Sequence, residues 1–148
     1  MLKVFTDGGA RGNPGPAAAA FVVYRGEGIL AQEGHYLGRA TNNVAEYQAV
    51  LKAFDWLLPH REKAKEAGKV EFFLDSKLVV SQLNGQFKIK ARNLLPLILA
   101  IKQKEKALGM PVSYSYIPRF KNKAADLLVN QTLDKTLKKN GFGGQSWL

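Results

Sequence analysis

Of the 12 acidic residues in the chain, Asp7, Glu46, Asp75 and Asp126 do not read as part of a solvated face. Asp7 and Asp75 each close a short run of apolar and aromatic residues with strand character, Met1 to Thr6 and Val70 to Leu74. Ligands of open sheets with helical crossovers gather at the carboxyl ends of strands, so both carboxylates are expected to face one crevice. Glu46 begins a helical row continued by Val50, Ala53 and Leu57, and Asp126 begins one continued by Val129, Leu133 and Leu137. A carboxylate aimed at an apolar side must be neutralised or met by a cation. The chain has no cysteine, and both histidines, His35 and His60, are far in sequence from the four acids. An oxygen-ligand site for Mg²⁺ or Mn²⁺ therefore explains the four together. Glu62, Glu66, Glu71, Glu105 and Asp134 lie among lysines and read as a solvated face.

Taken singly, each of the four has a plainer account. Asn43 and Glu46 have the spacing of a capping box, Asp126 suits the first turn of a helix, and Asp7 and Asp75 suit turns at strand ends. The glycine-rich stretch Gly9 to Gly15 lacks the Gly-Lys-Ser/Thr ending and following helix of a phosphate-cradling loop, and reads as a turn between strands.

The elements that must position these residues follow from the periodicities. Three neighbouring strands are predicted at the start: Met1 to Thr6 ending at Asp7, then Ala18 to Arg25 and Ile29 to Leu37 joined by the turn Gly26-Glu27-Gly28. From Val44 the period becomes helical, with Val44, Tyr47, Leu51, Phe54 and Leu58 on one stripe and Pro59 and a charged run to Gly68 beyond. Strand Val70 to Leu74, helix Ser76 to Leu83, a basic connector from Gly85 to Asn93, and helix Leu94 to Leu108 come next. Strand Val112 to Ile117 and helix Asn122 to Lys139 complete the pattern, ahead of a glycine-rich tail. Alternating strands and helices in the second half require parallel crossovers. The expected fold class is thus α/β: a five-stranded mixed sheet, three antiparallel strands then two parallel ones, flanked by helices.

At 148 residues the chain fits one domain, with no internal repeat or linker. Lysine and arginine number 22, giving a net charge of +10 that draws polyanions and makes nucleic acid the leading partner class. The longest apolar stretch, Ala17 to Tyr24, is far short of the roughly 20 residues that span a bilayer and reads as a buried strand. Met1 to Thr6 has no secretory pattern, so a cytoplasmic location is expected. No membrane partner and a monomer are expected as well.

At Phe5-Thr6-Asp7-Gly8-Gly9, with Gly12-Asn13-Pro14-Gly15 following, the sequence resembles the opening of the type 1 ribonuclease H family. Thr41-Asn42-Asn43-Val44-Ala45-Glu46-Tyr47 is similar to the family's helix start with its second acid, and Leu74-Asp75-Ser76 to its third. Ile117-Pro118-Arg119 to Asn122-Lys123-Ala124-Ala125-Asp126 is similar to its fourth, and the likeness runs from about Leu2 to Leu137 in order. The resemblance implies a ribonuclease H-like catalytic domain over residues 1–140, with 141–148 a short C-terminal tail. It implies an endonuclease that hydrolyses the RNA strand of RNA/DNA hybrids, leaving 5′-phosphate and 3′-hydroxyl ends. Asp7, Glu46, Asp75 and Asp126 would hold two Mg²⁺ ions, or Mn²⁺ in their place. Asn13, Asn42 and Asn43 match positions that contact the minor groove of the hybrid, and Arg39 and Thr41 match a pocket for a phosphate of the DNA strand. The alternative for these five is a polar loop that caps the helix.

Two departures from the family stand out. Many members place a histidine before the last acid, but Ile117 to Ala125 contains none. The connector Gly85 to Asn93 is short where several bacterial members carry a tryptophan-rich handle, so the chain resembles the handle-less branch. Phe87, Lys88, Lys90 and Arg92 would either track the hybrid backbone or form a solvated loop. Competing functions on the same fold are a non-catalytic nucleic-acid-binding domain, which would be expected to lack one or more of the acids, and a nuclease acting on another substrate.

Overall fold

β1 (Leu2–Ala10) and β2 (Gly15–Arg25) pair antiparallel, with Val4 opposite Val23 and Asp7 opposite Ala20. The chain then reverses into β3 (Gly28–Ala40) through Gly26, whose φ of 60° favours glycine. This computed structural model describes residues 1–86 and 92–139. Phe87, Lys88 and Lys90 of the connector, and the glycine-rich tail, lie outside them.

β4 (Val70–Leu74) joins β1 in parallel and β5 (Val112–Tyr116) joins β4 in parallel, giving the order β3-β2-β1-β4-β5. This is the mixed sheet that the periodicities predict. The parallel joins need crossovers. α1 (Asn42–Leu57) and α2 (Arg61–Ala67) make the first, and α3 (Lys77–Leu83) and α4 (Leu95–Leu108) lie in the second. A 3₁₀ turn, Arg119–Lys121, leads from β5 to α5 (Lys123–Lys139).

Two apolar clusters hold the layers together. The larger joins Leu2, Val4, Phe72 and Leu74 of the sheet to Tyr47, Val50, Phe54 and Leu57 of α1 and to Ile98 and Ile101 of α4. The smaller is Ala18, Ala20, Val129 and Leu133, which seats α5 on β2. The run Ala17 to Val23 is wholly buried, which is why it reads as an unbroken apolar stretch rather than an alternating one.

Three expectations need correction. Asp7 does not end its strand: Gly8, Gly9 and Ala10 stay in β1 by pairing with Ala19, Ala18 and Ala17. The charged run after Pro59 folds as α2, with Glu62 in its first turn, Lys65 in its last and Gly68 at φ 86° closing it, each suited to a helix end. Glu71 and Glu105 are only partly solvated, each side chain being 20% exposed and paired with a lysine. The Tyr114 hydroxyl donates to Glu105 at 2.9 Å, and Lys102 donates to the same carboxylate, which offsets the burial.

Candidate metal centre

The parallel ladder between β1 and β4 pairs Leu2 with Val70 and Phe5 with Phe73. Carried further along both strands, that register sets Asp7 across from Asp75. Glu46 reaches the same place because α1 lies against β1 at Gly8. A Cβ on Gly8 would overlap the carbonyl group of Ala45, so only glycine lets the helix come this close. One carboxylate oxygen from each of Asp7, Glu46 and Asp75 lies within 4.8 Å of the other two. Asp126, in the first turn of α5, is outside that triple but lines one cleft of about 340 Å³ with Asp7, Glu46 and Arg119.

The electrostatics show what this arrangement lacks. Burial, then the charges of Asp75, Asp126 and Glu46, push the Asp7 carboxyl up to about 8, against the pull of a hydrogen bond from the Gly8 backbone. Burial also pushes Glu46 up to about 7, with Asp75 adding to the rise and the Ser76 hydroxyl and Arg119 opposing it. Oε2 of Glu46 is buried with no hydrogen-bond partner among the described residues. An orphaned carboxylate oxygen beside two more acids is a donor set that a hard divalent cation satisfies, so the residues fit such an ion.

Asn122 is a member that the sequence reading left without a role. It is 1% exposed, and its side-chain amide donates to the Thr6 carbonyl and to Oδ2 of Asp75, both at 2.9 Å. It thereby ties β1, the end of β4 and the start of α5 together beside the acids. As the first residue of the helix expected over Asn122 to Lys139, it gives no local sign of this function.

The expected substrate-contacting residues are placed as follows. Oδ1 of Asn13 accepts from the Asn42 backbone N–H at 3.0 Å, and Oδ1 of Asn42 accepts from the Ala10 N–H at 2.8 Å. These two bonds fasten the β1–β2 loop to the start of α1. Thr41 is the N-cap of α1, its hydroxyl oxygen accepting from the Val44 N–H at 3.2 Å. The capping alternative thus holds for Thr41, whereas the Asn43–Glu46 capping box does not form, because α1 begins earlier than the box requires. Asn43 is exposed in the first turn of α1, and Arg39 is exposed near the end of β3, opposite Pro16. Arg92, the described cation of the connector, is exposed as well.

The reverse transcriptase-like family model matches residues 5–132. A bifunctional protein of Mycobacterium tuberculosis is 38% identical over 137 residues, 90% of this chain and 35% of that protein. Ribonuclease HI of Halobacterium salinarum is also 38% identical over 137 residues, 90% of this chain and 64% of the relative. The chain thus spans about a third of the length of the mycobacterial relatives it matches. Among solved structures, LC11-RNase H1, isolated from compost by a metagenomic approach, is 38% identical, with 93% of this chain and 98% of that one covered at a TM-score of 0.87. The structure of LC11-RNase H1 in complex with an RNA/DNA hybrid matches over 93% of this chain and 99% of that one, with 34% identity and a TM-score of 0.82. In sequence, in sheet order and in overall structure, the chain belongs to the type 1 ribonuclease H branch of the reverse transcriptase-like family.

Proposed function

We propose that the chain is an endonuclease that hydrolyses the RNA strand of RNA/DNA hybrids with two Mg²⁺ ions, Mn²⁺ serving in their place. The observation that carries this reading is the convergence of Asp7, Glu46 and Asp75 within 4.8 Å, with an unpartnered Glu46 oxygen among them and Asp126 across the cleft. Asp7, Glu46, Asp75 and Asp126 are the ligands in this proposal. When bound, the ions supply a nucleophile from water and stabilise the leaving 3′ oxygen, which gives 5′-phosphate and 3′-hydroxyl products.

The protein's own residues do the rest. Asn122 fixes the rotamer of Asp75 by its bond to Oδ2, holding that carboxylate beside Asp7 and Glu46. Asn13 and Asn42 spend their side-chain carbonyls on the backbone bonds that hold the loop to α1, which leaves both NH₂ groups as donors. Minor-groove base edges present acceptors, and 2′-hydroxyls accept as well, so these amides with Asn43 are suited to recognise the hybrid and to sense which strand is RNA. Arg39 and the Thr41 hydroxyl proton are suited to a phosphate of the DNA strand. Arg119, exposed beside Glu46, lowers the local negative potential where other family members use a histidine. A guanidinium stays protonated near neutral pH, so it acts as a fixed charge rather than a proton carrier.

The net charge of +10 assists encounter with the polyanion. Residues 1–140 form the catalytic domain in this reading, with 141–148 a tail, and one chain supplies all four acids, so a monomer suffices. The absence of cysteine suits the reducing cytoplasm. No helix of the described residues is long and apolar enough to cross a membrane. The test is cleavage of a hybrid labelled on its RNA strand: cutting with Mg²⁺ or Mn²⁺, none after chelation, and none of single-stranded RNA or duplex DNA. Cleavage that survives chelation refutes the proposal.

A further inference from the structure

The 3₁₀ turn Arg119–Lys121 separates two clefts. Arg119 lines the one that holds the acids, whereas Lys121 and Asn122 line a second, of about 410 Å³, walled by Lys3, Phe5 and Tyr24 with Glu27 at its edge. The second cleft is an aromatic platform. Phe5 stacks on Phe73 with ring centroids 5.0 Å apart and meets the Tyr24 ring edge-on at 5.4 Å. Lys3 holds its ammonium 5.9 Å from the Phe73 centroid. On the turn between the clefts, Phe120 leaves 66% of its surface in water, flanked by Arg119 and Lys121.

Aromatic faces combined with cations are how proteins hold unpaired nucleotides, whose bases have free faces to stack. Paired bases in a duplex do not offer those faces. The charge around the second cleft, Lys3 and Lys121 against Glu27, favours a polyanion over an apolar peptide. Continuity decides which polyanion. Asn122 is at once a wall of this cleft and the residue bonded to Asp75, so the cleft adjoins the metal centre and lies within reach of a strand that continues beyond it.

We propose that this cleft binds a single-stranded flank of the RNA strand whose paired part lies at the acids. The inference rests on the hybrid-nuclease reading above. It makes the end of a hybrid, where RNA leaves the duplex, a preferred substrate.

The test compares kcat and KM in Mg²⁺ for a short blunt hybrid and for the same hybrid with a few unpaired ribonucleotides at the 5′ or the 3′ end of its RNA strand. Matching hybrids with unpaired deoxynucleotides on the DNA strand serve as controls. One RNA flank is expected to lower KM about five-fold or more, the effect of one stacked base, with kcat unchanged. Lys3→Glu, at an exposed position, and Tyr24→Ala should each erase that difference while leaving blunt-hybrid cleavage as it was. If Tyr24→Ala fails to fold, Lys3→Glu decides. Equal KM values for flanked and blunt hybrids, an equal gain from DNA flanks, or a gain that survives Lys3→Glu would overturn the inference while leaving the nuclease reading standing. Failure to cut any hybrid would overturn both.

Discussion

Replacing Asp7 with asparagine should destroy activity and yet stabilise the metal-free protein. Asp7 is pushed from 3.8 to about 8, first by burial and then by Asp75, Asp126 and Glu46. A carboxyl with a raised folded-state pKa binds its proton more tightly when folded. The folded state is therefore favoured below about pH 4 and loses ground as pH rises toward about 8, where the folded carboxyl gives up its proton. At about 1.4 kcal/mol per pKa unit, holding Asp7 in its site at pH 7 costs roughly 4 kcal/mol relative to a neutral group of the same shape. Asp7→Asn is such a group. In EDTA at pH 7 it should raise the melting temperature on the order of 10 °C, given about 2–4 °C per kcal/mol for a chain of this size. The gap should close as pH falls to about 4 and widen toward pH 9. Adding Mg²⁺ should narrow the gap, because an ion at 100 times its Kd adds about 2.7 kcal/mol to the parent protein and less to a variant lacking a ligand. Circular-dichroism melts at several pH values with EDTA or Mg²⁺ measure all of this. An Asp7→Asn protein that melts below the parent in EDTA at pH 9, or a gap that does not change with pH, would refute the reasoning.

Three further outcomes are expected. Asp75→Asn should remove nearly all hybrid turnover while leaving hybrid binding by anisotropy within a few-fold of the parent, since it deletes a ligand without touching the basic surface. Gly8→Ala should lose both activity and stability, by about 1–3 kcal/mol or more in a denaturant titration, because the new Cβ overlaps the Ala45 carbonyl group and drives α1 and Glu46 away from Asp7. Asn122→Leu should lower kcat and weaken Mg²⁺ activation more than it alters KM for the hybrid, because it frees Asp75 and leaves the Thr6 carbonyl without its buried donor. An increase in KM alone would instead assign Asn122 to substrate binding.

Much of this was legible in the residues. The three antiparallel strands followed by two parallel ones follow from two periodicities and the placing of Gly26 and the helices, and the row from Glu46 through Val50, Ala53 and Leu57 is buried below its acid as the spacing implies. What stayed hidden depends on partners remote in sequence. Gly8 and Gly9 look like a turn because glycine usually breaks a strand, but pairing with Ala19 and Ala18 holds them in β1. Thr41 rather than Asn43 caps α1 because β3 runs on to Ala40 and the helix starts at once. Asn122 bonds Thr6 from 116 residues away and Asp75 from 47, and no local pattern reports such bonds.

The thinness of the α5 seat also matters for the ligand set. Ala18 and Ala20 put little more than methyl groups under Val129 and Leu133, so this helix is fastened by far less apolar surface than α1. A helix held this way is expected to open more readily than the main core does, carrying Asp126 away from Asp7, Glu46 and Asp75. On the proposed four-carboxylate site, cation binding and closure of α5 are then two sides of one linked equilibrium, in which the ion latches the last helix and the helix tightens the hold on the ion.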